Sequence, residues 1–192
     1  MSAVTAPIDH STRLLRPDQR ASRRADRRRL RQQDRLSARL AELHAIDALL
    51  DRAAEVVGAG WVQGAWFTVS TTTGPRAVTA YDLPALGHRL VTGACLVGSV
   101  VQAAGGPATV RSQLVQRTLD VVGHSLREDP SHPVQWCPGP RMRMLGVLEL
   151  THWNDTPGRT QQQVLGLLEA SRRTVEVQRT VCRTEHATLA TR

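Results

Sequence analysis

From Asp18 to Arg35 the chain offers one large apolar residue, Leu30, among eight arginines: Arg20, Arg23, Arg24, Arg27, Arg28, Arg29, Arg31 and Arg35. A stretch so poor in apolar side chains has almost nothing to bury, so the core must come from elsewhere. By itself it reads as helical once its charge is neutralised and partly disordered when free. Pro17 suits a first helical turn, because its φ is already fixed at a helical value.

At Leu36 the pattern changes. Leu36, Leu40, Leu43, Ile46, Leu50, Ala53 and Val57 recur at steps of three and four, which places them on one helix face until Gly58 and Gly60 stop the run. A basic run followed by leucines at heptad spacing is the arrangement of basic-region zippers. Here Leu40, Ile46 and Ala53 widen the stripe beyond a coiled-coil seam, so a core helix is the better reading.

Further along, Phe67 to Thr73 is rich in β-formers and ends at Gly74-Pro75, predicting a short strand or hairpin arm. A second helix is expected from Asp82 or Leu83-Pro84 to Ala104, and a third from Pro107 through Leu126. The four prolines between Asp129 and Pro140 predict a loop, and Met144 to His152 a short extended segment. Thr160 with Gln163 has the spacing of a capping box opening a final helix, whose apolar face carries Val164, Leu168, Ser171 and Val175. Trp61, Trp66 and Trp153 supply bulk in a chain with one Phe and one Tyr.

The fold class expected is mainly α: a single compact domain of about four helices with one or two short extended segments, plus a basic N-terminal arm. The arm spans 1–39, the globular domain 40–181, and a fraying tail 182–192.

Charge divides along the same boundary. Residues 1–40 hold eleven arginines against four aspartates, a net +7, while the remaining 152 residues hold fourteen arginines against thirteen acids, a net +1. The high pI therefore belongs to the arm and not to the body. All basic residues are arginine, a usage expected of a high-GC genome.

Other classes are disfavoured. The longest apolar stretch, Leu90 to Ala104, is short of the ~20 residues of a spanning helix, so no membrane role is expected. The first forty residues contain no apolar h-region of a signal peptide. Cys95, Cys137 and Cys182 are an odd number at wide spacing, which suits reduced thiols in a cytoplasm. No phosphate-cradling loop, dinucleotide fingerprint or H-E-x-x-H helix is present, and no cofactor is expected.

Three passages occur in a recognisable order: Gly60-Trp61-Val62-Gln63-Gly64, then Ala94-Cys95-Leu96-Val97-Gly98, then Trp153-Asn154-Asp155-Thr156-Pro157-Gly158-Arg159-Thr160. Together they resemble an actinobacterial and actinophage family of small proteins of unknown function, with G-W-x-Q-G, C-x-x-G and W-N-D-x-P-G-R-T motifs. The resemblance covers about residues 45–171. It implies a cytoplasmic helical protein of mobile-element type and supplies no activity. The arm, the Pro-rich insertion around Trp136-Cys137 and the tail lie outside it.

Three candidate sites follow. The eight arginines from Arg20 to Arg35 are the residue type that neutralises phosphates and releases counterions, which predicts sequence-independent nucleic-acid contact. An acidic protein partner is the alternative. Asn154, Asp155, Arg159 and Thr160 are expected to form a strand-to-helix turn, or an anion site at the N-terminus of the last helix. Cys95 with His152 or His124, oriented by Asn154 or Asp155, has the residue types of a thiol nucleophile. Against that, Cys95 is expected in mid-helix as an inert thiol. His124, His132 and Cys137 have no spacing that suggests four metal ligands. The function expected is thus that of a non-enzymatic accessory protein using its arm. A small Cys/His enzyme, or a protein-binding module, is the alternative.

Overall fold

The computed structural model describes residues 17–83, 89–137 and 139–190. Within them lie five helices and a small sheet: α1 (Pro17–Ala59), β1 (Phe67–Thr71), β2 (Gly74–Val78), β3 (Val91–Ala94), α2 (Leu96–Ala103), a 3-10 turn (Pro107–Thr109), α3 (Gln113–Arg127), α4 (Pro140–Asp155) and α5 (Gln161–Ala190). The three strands are antiparallel in the order β2-β1-β3, with Phe67 opposite Val78 on one side and Ala94 on the other.

The two strongest sequence periodicities become the framework. Leu36, Leu43, Ile46, Leu50, Ala53 and Val57 are buried along α1, and Val164, Leu168, Ser171 and Val175 along α5. The two helices pack antiparallel. Ser37 Oγ lies 3.4 Å from His186 Nε2, Arg172 and Arg179 reach Asp47, and Gln161 Nε2 donates to the Val57 carbonyl at 2.6 Å. That last bond, with Gln161 to Gly58 O, satisfies carbonyls that the end of α1 leaves open. Phe67, Val69, Val78 and Ala94 from the sheet, with Leu96, Val97 and Val100 of α2, close the core. Each such large side chain contributes about 1.5–3 kcal/mol by leaving water.

Three expectations are corrected. There are five helices rather than four. Of the helix expected from 82 to 104, residues 84–88 lie outside the described part, and residues 91–103 instead form β3 followed by α2, because β3 pairs with β1 and the helix starts afresh at Cys95. Residues 144–152 are helical within α4. Apolar residues occur on both faces of that helix, which hides its period. Residues 182–190 continue α5, with Cys182 buried and the helix running to Ala190.

The arginine-rich stretch from Pro17 onward is continuous with the core helix, with no break at residue 40. Leu189, near the end of α5, shares a shallow groove with Arg24, Arg28, Arg29 and Gln32. The end of α5 thus lies beside the middle of the arginine-rich stretch of α1.

Candidate functional site

α4 ends at Asp155 and α5 begins at Gln161, so the turn between them joins two helices rather than a strand and a helix. The predicted capping box is formed. Gln163 N donates to Thr160 Oγ1 at 3.3 Å and Thr160 N donates to Gln163 Oε1 at 3.0 Å. Gly158 takes φ 79°, a left-handed value that favours glycine. The Arg159 guanidinium stacks 3.9 Å from the Trp153 ring centroid while its Nε donates to the Trp153 carbonyl at 3.1 Å. The arginine is therefore held within the turn.

Asn154 is fully buried and uses all four of its hydrogen-bonding positions. Its Oδ1 accepts from Trp61 Nε1 at 2.9 Å and from Leu96 N at 3.1 Å. Its Nδ2 donates to Val62 O at 3.1 Å and to Asp155 Oδ1 at 2.7 Å. Gln63 Nε2 donates to the Asn154 and Thr156 carbonyls, and Gly64 N to Asp155 Oδ1. Leu96 N is in the first turn of α2, which Cys95 caps by accepting from Gly98 N through its sulfur at 3.3 Å. Gly98 lies against the Trp66 carbonyl, where a Cβ would collide. The three passages singled out in the sequence thus converge on one amide. Asn154 was expected in a turn or anion site, or as the orienter of a Cys95/His152 pair; its part in joining the three passages is visible once the distant partners are in place.

Beside this junction opens a largely apolar cleft of about 900 Å³. Trp66, Tyr81, Val110, Met144 and Leu148 supply its walls, with Arg111, Arg143, Thr151 and Asp155 as polar groups. Gly64 and Asp155 belong to both junction and cleft. No sequence signal marked the cleft, since its lining comes from five separate segments.

Cys95 caps α2 instead of lying in mid-helix, yet its thiol is not activated. Burial pushes its pKa up to about 11, more than the Gly98 and Val97 amides lower it. His152 is exposed on α4. A thiolate nucleophile needs the opposite shift. His124 is buried, and that burial holds its pKa below the ordinary value. It lines a second cleft with Asp120, His132 and Cys137. Burial also raises the pKa of Asp120, which accepts from Cys137 N at 3.1 Å. Among the described residues no group of three or more His, Cys, Asp or Glu side chains is placed to hold a metal ion.

The arginine run is displayed by helix geometry. At about 100° per residue, Arg24, Arg27, Arg31 and Arg35 fall within roughly a quarter of the α1 circumference. Leu36, Leu40 and Leu43 lie on the opposite side, toward α5, together with half-buried Arg29. Arg23, Arg24, Arg27, Arg28, Arg31 and Arg35 are all exposed. Among the described residues none of these six pairs with a carboxylate, whereas Arg172 and Arg179 on α5 are tied to Asp47. The side chain of Arg20 lies outside the described part. No helix among the described residues is long and apolar enough to cross a membrane.

The fold and junction thus define a mainly helical domain with a three-stranded antiparallel sheet, knitted by Asn154. Residues 41–174 match the profile of a family of unknown function, DUF6197, and the chain belongs to that family. The matched span leaves out the arginine-rich part of α1 and the last half of α5. No curated protein and no solved structure matches the chain.

Proposed function

We propose that this protein is a non-enzymatic accessory protein that contacts nucleic acid without sequence preference, through the arginine face on the first half of α1. The observation that carries the reading is the stripe of Arg24, Arg27, Arg31 and Arg35, exposed along one side of α1 and, for Arg27, Arg31 and Arg35, on the side away from the leucines that pack toward α5. Along the helix these residues span about 16 Å at ~1.5 Å per residue, a length that reaches several phosphates of a duplex. The body behind the stripe is nearly neutral, so the attraction is local to this face. A cytoplasmic location and an actinobacterial or phage origin fit the arginine-only basic set and the sequence resemblance.

Removing residues 1–40 would strip Ser37 and Arg39, which meet His186 and Gln178 of α5, so truncation is a poor test. Substitution is cleaner: Arg24, Arg27, Arg31 and Arg35 all changed to Gln, at exposed positions. Duplex DNA affinity is then measured against salt. The expected result is weaker binding at every salt concentration and a log–log salt slope shallower by about three to four units, at ~0.9 per lost phosphate contact. Equal affinity and slope for the two proteins would refute the reading. Binding that is lost for an acidic protein but unchanged for DNA would move the face to a protein partner.

A further inference from the structure

We propose that the protein self-associates through α4, as a two-fold antiparallel pair of α4 helices centred on Leu145. Only Leu150 and Asn154 of α4 are buried. On its outer side Arg141, Leu145, Leu148 and His152 follow one another at steps of four, three and four, which keeps them in one line. Met144 and Met142 flank this line, and Met142, Met144, Leu145 and Leu148 are each 56–61% exposed. Four large apolar side chains exposed on one 16-residue helix form a patch of the kind that marks an interaction surface.

The charges at its ends select the occupant. A two-fold interface must be complementary to itself, so each residue faces the one equally far from the centre on the other copy. With the axis at Leu145, Arg141 faces Glu149 of the second copy, and Met142 faces Leu148 of the second copy. Both pairs occur twice by symmetry. A parallel arrangement would set Arg141 against Arg141 and Glu149 against Glu149. Glu149 accepts from Arg127 at 2.8 Å while both side chains stay about half exposed, so its carboxylate remains available to a further cation. Methionine beside leucine gives the strip side chains that adapt to an imperfect seam. The strip is small for a permanent dimer, which places the expected Kd in the micromolar range, about 1–50 μM.

The test is sedimentation equilibrium on the nuclease-treated full chain, from about 1 to 100 μM, with circular dichroism as a check of folding. The wild type is expected to show a monomer–dimer equilibrium, and Leu145→Glu to weaken it at least about tenfold. Arg141→Glu and Glu149→Arg should each weaken it, and the double variant should recover to within about threefold of wild type. A wild type that stays monomeric throughout overturns the proposal, whether another segment or another protein covers α4. So does undiminished association of Leu145→Glu, or a double variant that fails to recover. DNA is absent from these measurements, so their outcome is independent of the arginine face.

Discussion

The indole N–H of Trp61 donates to Oδ1 of Asn154 at 2.9 Å across 93 residues of sequence, and the same oxygen accepts from Leu96 N. One side chain thereby ties the segment after α1, the first turn of α2 and the end of α4. Asn154→Leu would leave the Trp61 indole, the Leu96 amide and the Val62 carbonyl without their partner. At about 1–3 kcal/mol for each unsatisfied buried group, a loss of at least ~3 kcal/mol is expected. Urea unfolding followed by tryptophan fluorescence measures it; a loss under about 1 kcal/mol would show the junction to be dispensable.

Cys95 should behave as a buried spectator in alkylation. In the native protein it is expected to resist iodoacetamide at pH 7–9 and to react at once after unfolding. Its folded pKa, about 11, lies above the ordinary 9.0, so between these values the unfolded chain has released a proton that the folded chain keeps. Stability therefore falls as pH rises through that window, by roughly 2–3 kcal/mol in all. Cys95→Ala should remove that part of the alkaline loss, read from unfolding curves at pH 8 and pH 10.5.

His124 gives the opposite acid-side behaviour. Burial lowers its folded pKa, so as pH falls below the ordinary 6.5 the unfolded chain binds a proton that the folded chain does not. Stability should decline on acidification, and the His124 imidazole should titrate below the ordinary 6.5 in a proton NMR series. A His124 resonance titrating at or above that value would contradict the burial argument.

The capping box is a local test. Thr160→Ala should cost about 1 kcal/mol, while Thr160→Ser, which keeps the hydroxyl, should cost only a few tenths. Gly98→Ala should be far more damaging, since its Cβ meets the rigid Trp66 carbonyl and not a side chain that can swing aside. Thermal unfolding of the three variants ranks them directly.

What the sequence made legible follows from where each segment's apolar residues lie. α1 and α5 each bury one face, so their steps of three and four could be read without the fold, and Thr160 with Gln163 marked the start of α5 locally. α4 could not be read this way, because Met144, Leu145 and Leu148 stay exposed opposite buried Leu150 and blur the alternation. The β3–α2 break was hidden because Gly93, Ala94 and Cys95 are small enough for either state, and pairing with β1 decides between them. For the candidate site, the arginine run was legible from charge alone, but not its alignment on one side of a helix. That it belongs to one unbroken helix met by α5 was not legible either, since Ser37 and His186 lie 149 residues apart. The Asn154 network joins residues that only the completed fold brings together.

The antiparallel seating of α5 on α1 also shapes how the molecule comes into being. α5 follows every other described element, so on the ribosome the part of the α1 leucine stripe that α5 covers stays open until α5 itself has emerged. Nascent chains should therefore hold an aggregation-prone surface late into translation, and shortened products lacking α5 should be captured by chaperones or degraded rather than accumulate as partial folds.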